Sequence, residues 1–298
     1  MNNIIAVAGP KGGVGKSVIC ANLSIALAEL GKRVIAVDLD FGASNLHALL
    51  GFTNFTYSLN DFFQNRVKKL SDIVSDTNIE NLKIIRGGDA PGMANIMYQK
   101  KAKLIRHLLS LNSDIIILDL APGISYNVLD FSLIAKDLLL VTTPELTSLM
   151  NSYSFIKAAV FRKLSFFFKR SGSFELLELL EKAKDFENYP LKTMEDFFQE
   201  AQKLNPAVAD SAKAIISNLR PLIIVNRIRA ENDKRVGKVI QRMLRVYLGI
   251  ESPLVMTVRE DASVANALVK MKPVLLYAPD SSFSLDIKKI ALEVSRVV

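Results

Sequence analysis

Residues 9–17 read Gly-Pro-Lys-Gly-Gly-Val-Gly-Lys-Ser, and no other stretch constrains this chain as tightly. They follow a short apolar run, Ile4–Ala8, that reads as a strand, and they precede Ser17–Leu30, which reads as a helix ended by Gly31. Strand, glycine-rich loop and helix in that order form the context of a phosphate-binding loop. Gly12, Gly13 and Gly15 let backbone N–H groups curl around an anion without Cβ clashes. The helix start at Lys16 turns its positive dipole end to the same place. In such a loop Lys16 bridges the β- and γ-phosphates and the Ser17 hydroxyl holds Mg²⁺.

The rest of the chain alternates strands and helices. Arg33–Asp38, Leu82–Ile85, Asp114–Leu118, Leu138–Thr142 and Leu222–Val225 are apolar runs without polar alternation, which suits strands buried on both faces of a parallel sheet. Leu254–Met256 and Val274–Leu276 are weaker strand candidates, and Lys100–Leu111 reads as a basic-faced helix. The expected fold is α/β, a three-layer doubly wound, mostly parallel sheet in a single domain over 1–298. About 80 residues separate the runs at Leu138 and Leu222, far more than one crossover helix needs. This interval reads as helices over Ser148–Phe168, Phe174–Asp185, Met194–Leu204 and Ala207–Leu219. Residues 165–219 are expected to form a helical insertion on the nucleotide domain.

Composition excludes several classes. No run of 18 or more apolar residues exists, so no transmembrane helix is expected. The start, Met-Asn-Asn-Ile-Ile, lacks the basic region and cleavage site of a secretory signal, and a cytoplasmic protein is expected. Cys20 is the single cysteine. It supplies no metal-ligand spacing and reads as a small buried apolar residue. The formal charge is +8, yet residues 171–220 hold nine acidic and six basic side chains, leaving +11 on the remainder. A basic body suits an anionic partner such as nucleotide, DNA or a lipid surface.

The second lysine of the loop, Lys11, makes the motif specific. Lys-Gly-Gly-Val-Gly-Lys-Ser resembles the deviant Walker A loop of the MinD/ParA/nitrogenase-iron-protein class. The resemblance extends to Asp38-Leu39-Asp40, to Asp119-Leu120-Ala121-Pro122-Gly123, to Thr143-Pro144-Glu145 and to Val225-Asn226-Arg227. It implies an ATPase that dimerises around bound Mg·ATP and hydrolyses it slowly until a protein partner stimulates it. It implies that Lys11 reaches the partner subunit's phosphates, that Asp40 positions the attacking water, and that Gly123 senses the γ-phosphate. The implied nucleotide-binding set is Gly12, Gly13, Val14, Gly15, Lys16, Ser17 and Val18, with Asn226 and Arg227 at the adenine. Ser17, Asp38 and Asp119 form the implied Mg²⁺ set. Val258 stands where relatives usually carry proline, so no base contact is assigned to the following Glu260–Val264 loop.

Within the class, Ala43-Ser44-Asn45-Leu46-His47 and Ser125-Tyr126-Asn127-Val128-Leu129-Asp130 are similar to the flagellar-number regulators of the FlhG/FleN kind. This implies a role in spatial positioning or number control, at a flagellum or a division site. Two rival readings stay open. One is a ParA-like, DNA-associated partitioning ATPase, for which Lys234, Lys238, Arg242 and Arg245 form a basic stripe opposite an apolar face of Val236, Val239, Ile240, Met243, Leu244 and Tyr247. The other is a targeting ATPase with the insertion as a client groove. Lys157, Arg162, Lys163, Lys169 and Arg170 form a second basic cluster beside Phe166-Phe167-Phe168, three rings that cannot share one helical face. The last segment, Ser281–Val298, carries Phe283, Ile287, Ile290, Val294 and Val297 at helical spacing and is expected to cover the sheet rather than enter a membrane.

Overall fold

The computed structural model describes residues 3–88, 96–184 and 191–297. In chain order the elements are β1 (Asn3–Ala8), α1 (Lys16–Glu29), β2 (Val34–Leu39), α2 (Leu46–Leu49), α3 (Leu59–Phe63), β3 (Ser75–Asp76), β4 (Leu82–Ile85), α4 (Tyr98–Leu109), β5 (Ile115–Leu120), α5 (Tyr126–Leu133) and β6 (Asp137–Thr142). Then come α6 (Leu146–Arg170), α7 (Phe174–Lys182), α8 (Met194–Leu204), α9 (Pro206–Ser217), β7 (Leu222–Ile228), α10 (Arg235–Leu248), β8 (Val255–Arg259), α11 (Ala262–Val269), α12 (Val274–Tyr277) and α13 (Ser282–Val297).

The strands form one sheet in the order β3-β4-β2-β5-β1-β6-β7-β8. Every pairing is parallel except the short edge pair of β3 with β4. Parallel neighbours put helices on both faces, and the strand residues divide accordingly. On β1, Ile4, Ala6 and Ala8 join the core beneath α4–α10, while Ile5 and Val7 join the core beneath α1, α2, α12 and α13. The doubly wound α/β architecture read from the apolar runs is therefore the observed one. β1 lies between β5 and β6, so the loops after β1, β2 and β5 meet at one carboxyl edge, where open α/β sheets bind ligands.

Local chemistry sets the element ends. Gly31 adopts φ +79° and terminates α1, its N–H donating to the Ala28 carbonyl at 2.9 Å. The Thr193 hydroxyl and Asp196 carboxylate cap each other's backbone at the start of α8, and Asn205 with Pro206 opens α9. The helices between β6 and β7 do not build a core of their own. Phe155, Phe168, Phe197 and Ile216 belong to the same buried cluster as Leu118, Leu140 and Ile223 of the strands. Of the three consecutive phenylalanines, Phe168 is fully buried and Phe166 is exposed.

Some expectations are corrected. Val274–Tyr277 is a helix rather than a strand, because Pro273 starts a helical turn whose Val274 and Leu275 fill the space beside α1. The apolar face of α10 is narrower than its pattern suggests: Ile240, Leu244 and Leu248 are buried, while Val239, Val246 and Tyr247 are exposed. Lys234 lies in the preceding 3₁₀ turn and pairs with Glu231, so the stripe along α10 itself is Lys238, Arg242 and Arg245. Arg162 is no free surface charge but is bound to Asp130. Asp185, placed at the end of α7 by pattern, and the Val297 side chain lie outside the described residues. Phe283, Ile287, Ile290 and Val294 of α13 are buried against the sheet, as expected. No helix among the described residues is long and apolar enough to cross a membrane.

Candidate nucleotide site

The loop between β1 and α1 turns on two left-handed glycines, Gly13 at φ +81° and Gly15 at φ +89°. A Cβ on Gly15 would stand 2.3 Å from the Asn226 amide nitrogen, so glycine is required there for space as well as conformation. Gly12 and Gly13 face open space, which leaves the cradle free for an anion. Val14 is buried and its carbonyl accepts from Asn226 Nδ2 at 2.8 Å, tying the loop to the end of β7. α1 starts at Lys16 with no acidic residue in its first turn, so its dipole faces the cradle uncancelled.

Lys16 is 7% exposed and donates to Asp119 Oδ1 at 2.5 Å and to Ser17 Oγ at 3.0 Å. Asp119 sits near the end of β5, in register with Val7 of β1 and Asp38 of β2. Burial pushes its carboxyl above the usual range, opposed by the Lys16 charge and by hydrogen bonds from Lys16 and Ser17. Ser17, Lys16 and Asp119 thus converge as expected. Asp38 is also brought to this floor, with both oxygens engaged. Oδ1 accepts from Asp40 N at 3.0 Å, and Oδ2 accepts from Ser44 Oγ at 2.8 Å and Leu46 N at 3.0 Å. Burial and the nearby Asp119 charge push Asp38 up to about 7 against those bonds. Asp38 therefore organises the loop over residues 40–46. Asp40 itself turns Oδ1 to the N–H groups of Gly42 and Ala43, at 3.2 and 3.1 Å. It borders a cleft of about 320 Å³ lined by Phe41, Pro122, Ser125 and Asn127.

Lys11 points the other way. Its ammonium donates to Glu145 Oε2 at 2.6 Å and Thr147 Oγ1 at 3.2 Å, at the start of α6, and it remains partly exposed. The Lys11 ammonium holds the Glu145 carboxyl below its ordinary range. Gly123 adopts φ +91° and donates its N–H to the Pro10 carbonyl at 3.1 Å, joining the segment after β5 to the loop.

A second cleft, of about 240 Å³, opens beside Gly15 and Val18, and Asn226 and Arg227 line it. Arg227 adopts φ +59°, an uncommon conformation for a non-glycine residue. The loop after β8 closes the far wall with Asp261 and Val264, although Val258 gives the Glu260–Val264 loop no expected base contact, and α11 adds Leu268. Asp261 orders that loop: it caps α11 through Ser263 N at 2.8 Å and accepts from Ser282 Oγ at 2.6 Å. The signal was present as an Asp-x-Ser helix start, but it reports a cap and not which cleft the helix faces. Cys20 is fully buried in α1, the small apolar role expected of it, and burial pushes its thiol up.

The residues present fit a nucleotide with Mg²⁺. The cradle is open, and one ammonium, one hydroxyl and one carboxylate, those of Lys16, Ser17 and Asp119, meet at its base. That donor set suits an ion held by a hydroxyl, phosphate oxygens and water, the usual habit of Mg²⁺.

Sheet, loop and converging lysine and aspartate define a P-loop nucleotide-binding protein of the doubly wound α/β class. The chain belongs to the CobQ/CobB/MinD/ParA nucleotide binding domain family, whose model matches residues 5–274. It is 34% identical over 150 residues to the septum site-determining protein MinD of Helicobacter pylori, covering 50% of this chain and 56% of that protein. It is 36% identical over 157 residues to the antiactivator FleN of Pseudomonas aeruginosa, covering 52% and 55%. The chain thus spans about half the length of the curated relatives it matches. Its fold is shared with the cell division ATPase MinD of Pyrococcus furiosus, at TM-score 0.68 and 21% identity over 100% of both chains. It is shared also with MinD of Pyrococcus horikoshii complexed with Mg-ADP, at TM-score 0.65 and 24% identity, covering 100% of this chain and 97% of that one.

Proposed function

We propose that this protein is an ATP-dependent switch that hydrolyses ATP to ADP and phosphate, dimerises around the bound nucleotide, and acts in positioning or number control at a division site or flagellum. The observation that carries the reading is the divergence of two lysines in one loop. Lys16 faces inward on Asp119, and Lys11 faces outward, partly exposed, on Glu145. The role fits the likeness to MinD and FleN.

In this reading the loop N–H groups from Gly12 to Ser17 and the Lys16 ammonium bind the phosphates, with Val18, Asn226 and Arg227 flanking the base. Ser17 and Asp119 would hold Mg²⁺, and Asp38 fixes the loop that carries Asp40. Bound Mg²⁺ supplies charge neutralisation at the phosphate oxygens. Asp40 leaves the Gly42 and Ala43 N–H groups to orient water, and Lys11 leaves Glu145 to meet the phosphates of a second subunit. Hydrolysis is slow while these two groups stay parked, because phosphoryl transfer depends on charges already in place. A protein partner that shifts them stimulates turnover.

Light scattering of Asp40→Ala protein with Mg·ATP tests this. The expected result is a trapped dimer, with Lys11→Ala protein monomeric under the same conditions. A monomer at tens of micromolar, on the order of a weak interface's Kd, overturns the reading.

A second surface supports a second reading, association with DNA or an anionic membrane. Lys238, Arg242 and Arg245 are exposed along α10, and the described residues offer them no ion pair, while Val239 and Val246 are exposed beside them. Pairing two such stripes in a dimer steepens salt dependence. Filter binding and liposome flotation of the Asp40→Ala protein with ATP at low salt read this out. If neither DNA nor anionic vesicles retain it, the stripe only keeps the helix solvated.

A further inference from the structure

The cleft of about 240 Å³ beside the phosphate loop has two walls of different construction. The near wall carries Gly15 and Val18, and the Asn226 amide ties the loop to β7 through the Val14 carbonyl at 2.8 Å. The far wall comes from the last part of the chain. α11 supplies Val264 and Leu268, one helical turn apart, and α13 adds Phe283, which is 2% exposed. Apolar surfaces on both sides, with polar groups from Asn226 and Arg227, suit a planar base.

The far wall does not hold itself. α11 has eight residues, too few for a helix to persist alone. Phe283 belongs to the first turn of a different helix. One carboxylate joins the two. Asp261 Oδ1 accepts from Ser263 N at 2.8 Å and fixes the entry to α11. Its Oδ2 accepts from Ser282 Oγ at 2.6 Å and from Phe283 N at 3.4 Å, at the entry to α13. The bonds from Ser282 and Ser263 hold the Asp261 carboxyl well below the usual range, so it is a charged acceptor at neutral pH. Charged acceptors make the stronger hydrogen bonds. A second bridge runs alongside. Asp286 of α13 accepts from Arg259 N at 3.0 Å and Nε at 2.8 Å on Oδ2, and from the guanidinium at 2.7 Å on Oδ1. That bridge clamps the end of β8 to α13, and Asp261 sets the turn that follows.

We propose that Asp261 is a positioning residue for nucleotide binding, holding α11 and Phe283 at the spacing that grips the base. The proposal rests on the nucleotide reading above. Affinity for a nucleotide then has two separable parts. The phosphate part comes from the loop and Lys16, and the base part depends on Asp261. A residue that only caps α11 gives no such separation.

Isothermal titration of the full chain with Mg·ADP and with magnesium pyrophosphate, which lacks ribose and base, tests this. Wild-type protein should bind ADP at least about tenfold more tightly than pyrophosphate. Asp261→Ala should lose at least about tenfold toward ADP and less than about twofold toward pyrophosphate. Ser282→Ala keeps the Ser263 bond that caps α11, and should still lose at least about threefold toward ADP alone. Should Asp261→Ala not fold, Ser282→Ala carries the test. Unchanged ADP affinity in Ser282→Ala, or equal losses toward both ligands in either variant, overturns the proposal. So does wild-type protein that binds ADP no more tightly than pyrophosphate, which leaves the nucleotide reading standing. Wild-type protein that binds neither ligand overturns both.

Discussion

Lys16 and Asp119 satisfy each other where water does not reach, and this sets what a change at either position costs. Removing one partner strands the other, and a buried unpaired charge costs about 3 kcal/mol or more. Lys16→Ala is therefore expected to lower nucleotide-free stability by about 3 kcal/mol and to abolish ATP binding. Urea unfolding of the two proteins checks the first effect, and ATP titration checks the second. Equal unfolding midpoints would show that Asp119 simply takes up a proton at no cost. Gly15 supplies a second test at this scale. Gly15→Ala must tolerate both φ +89° and a 2.3 Å approach to Asn226. The expected loss is at least about 1–3 kcal/mol. Adding Asn226→Ala should recover the steric part of that loss and leave the conformational part. The phosphate loop was legible because glycine spacing, the flanking strand and the flanking helix all express one geometry. The parking of Lys11 on Glu145 and of Asp40 on its own loop was not. Those contacts join positions 134 residues apart or depend on side-chain rotation that no spacing encodes.

Elements are joined by interactions of a different kind. At the amino edge of the sheet, Asp114 accepts from the Arg33 backbone at 2.8 Å and its guanidinium at 2.8 Å, clamping the start of β2 to the start of β5. These bonds hold the Asp114 carboxyl down to about 2. A depressed carboxylate stabilises the fold above its unfolded value near 4 and loses that contribution as pH falls through the folded value. Asp114→Asn should therefore unfold at lower denaturant than wild type at pH 5–7, with the difference shrinking toward pH 2. A constant difference across that range would assign the effect to packing rather than charge. Helix α10 depends on close approach: a Cβ on Gly237 would lie 2.3 Å from Val255 Cγ1 and 3.1 Å from Val225 Cγ2. Gly237→Ala is expected to cost about 1–3 kcal/mol despite alanine's better helix propensity, as read by thermal unfolding. Strand and helix positions in the sheet core were readable because long apolar runs have one outcome when buried on both sides. Val274–Tyr277 was not, since four residues are too short for periodicity to separate helix from strand. The exposed edge of α10 was misjudged because amphipathic pattern reports which face is apolar, not how much of that face a neighbour covers.

For the molecule as a whole, loops from the two halves of the chain converge on one sheet edge. The phosphate loop follows β1 and the base-side cleft follows β7 and β8, so neither half completes the site alone. A ligand spanning both should stabilise the entire fold: Mg·ATP at 100 times its Kd adds about 2.7 kcal/mol, read as a rise of several degrees in Tm. The same experiment with Lys16→Ala should show no rise. One helix also links this edge to the far side of the molecule. α6 begins beside Glu145, where Lys11 rests, and runs 25 residues to Arg170, a length of about 37 Å at 1.5 Å per residue. A rod of that length converts angle into distance. A tilt of only about 5° at the Glu145 end would sweep the opposite tip through about 3 Å, more than half a helical turn. Phe168 and its ring partner Phe197 ride near that tip. If departure of the ammonium from Glu145 tilts α6, a distance measured near residue 170 changes with it, and an unchanged distance shows that the helix stays put.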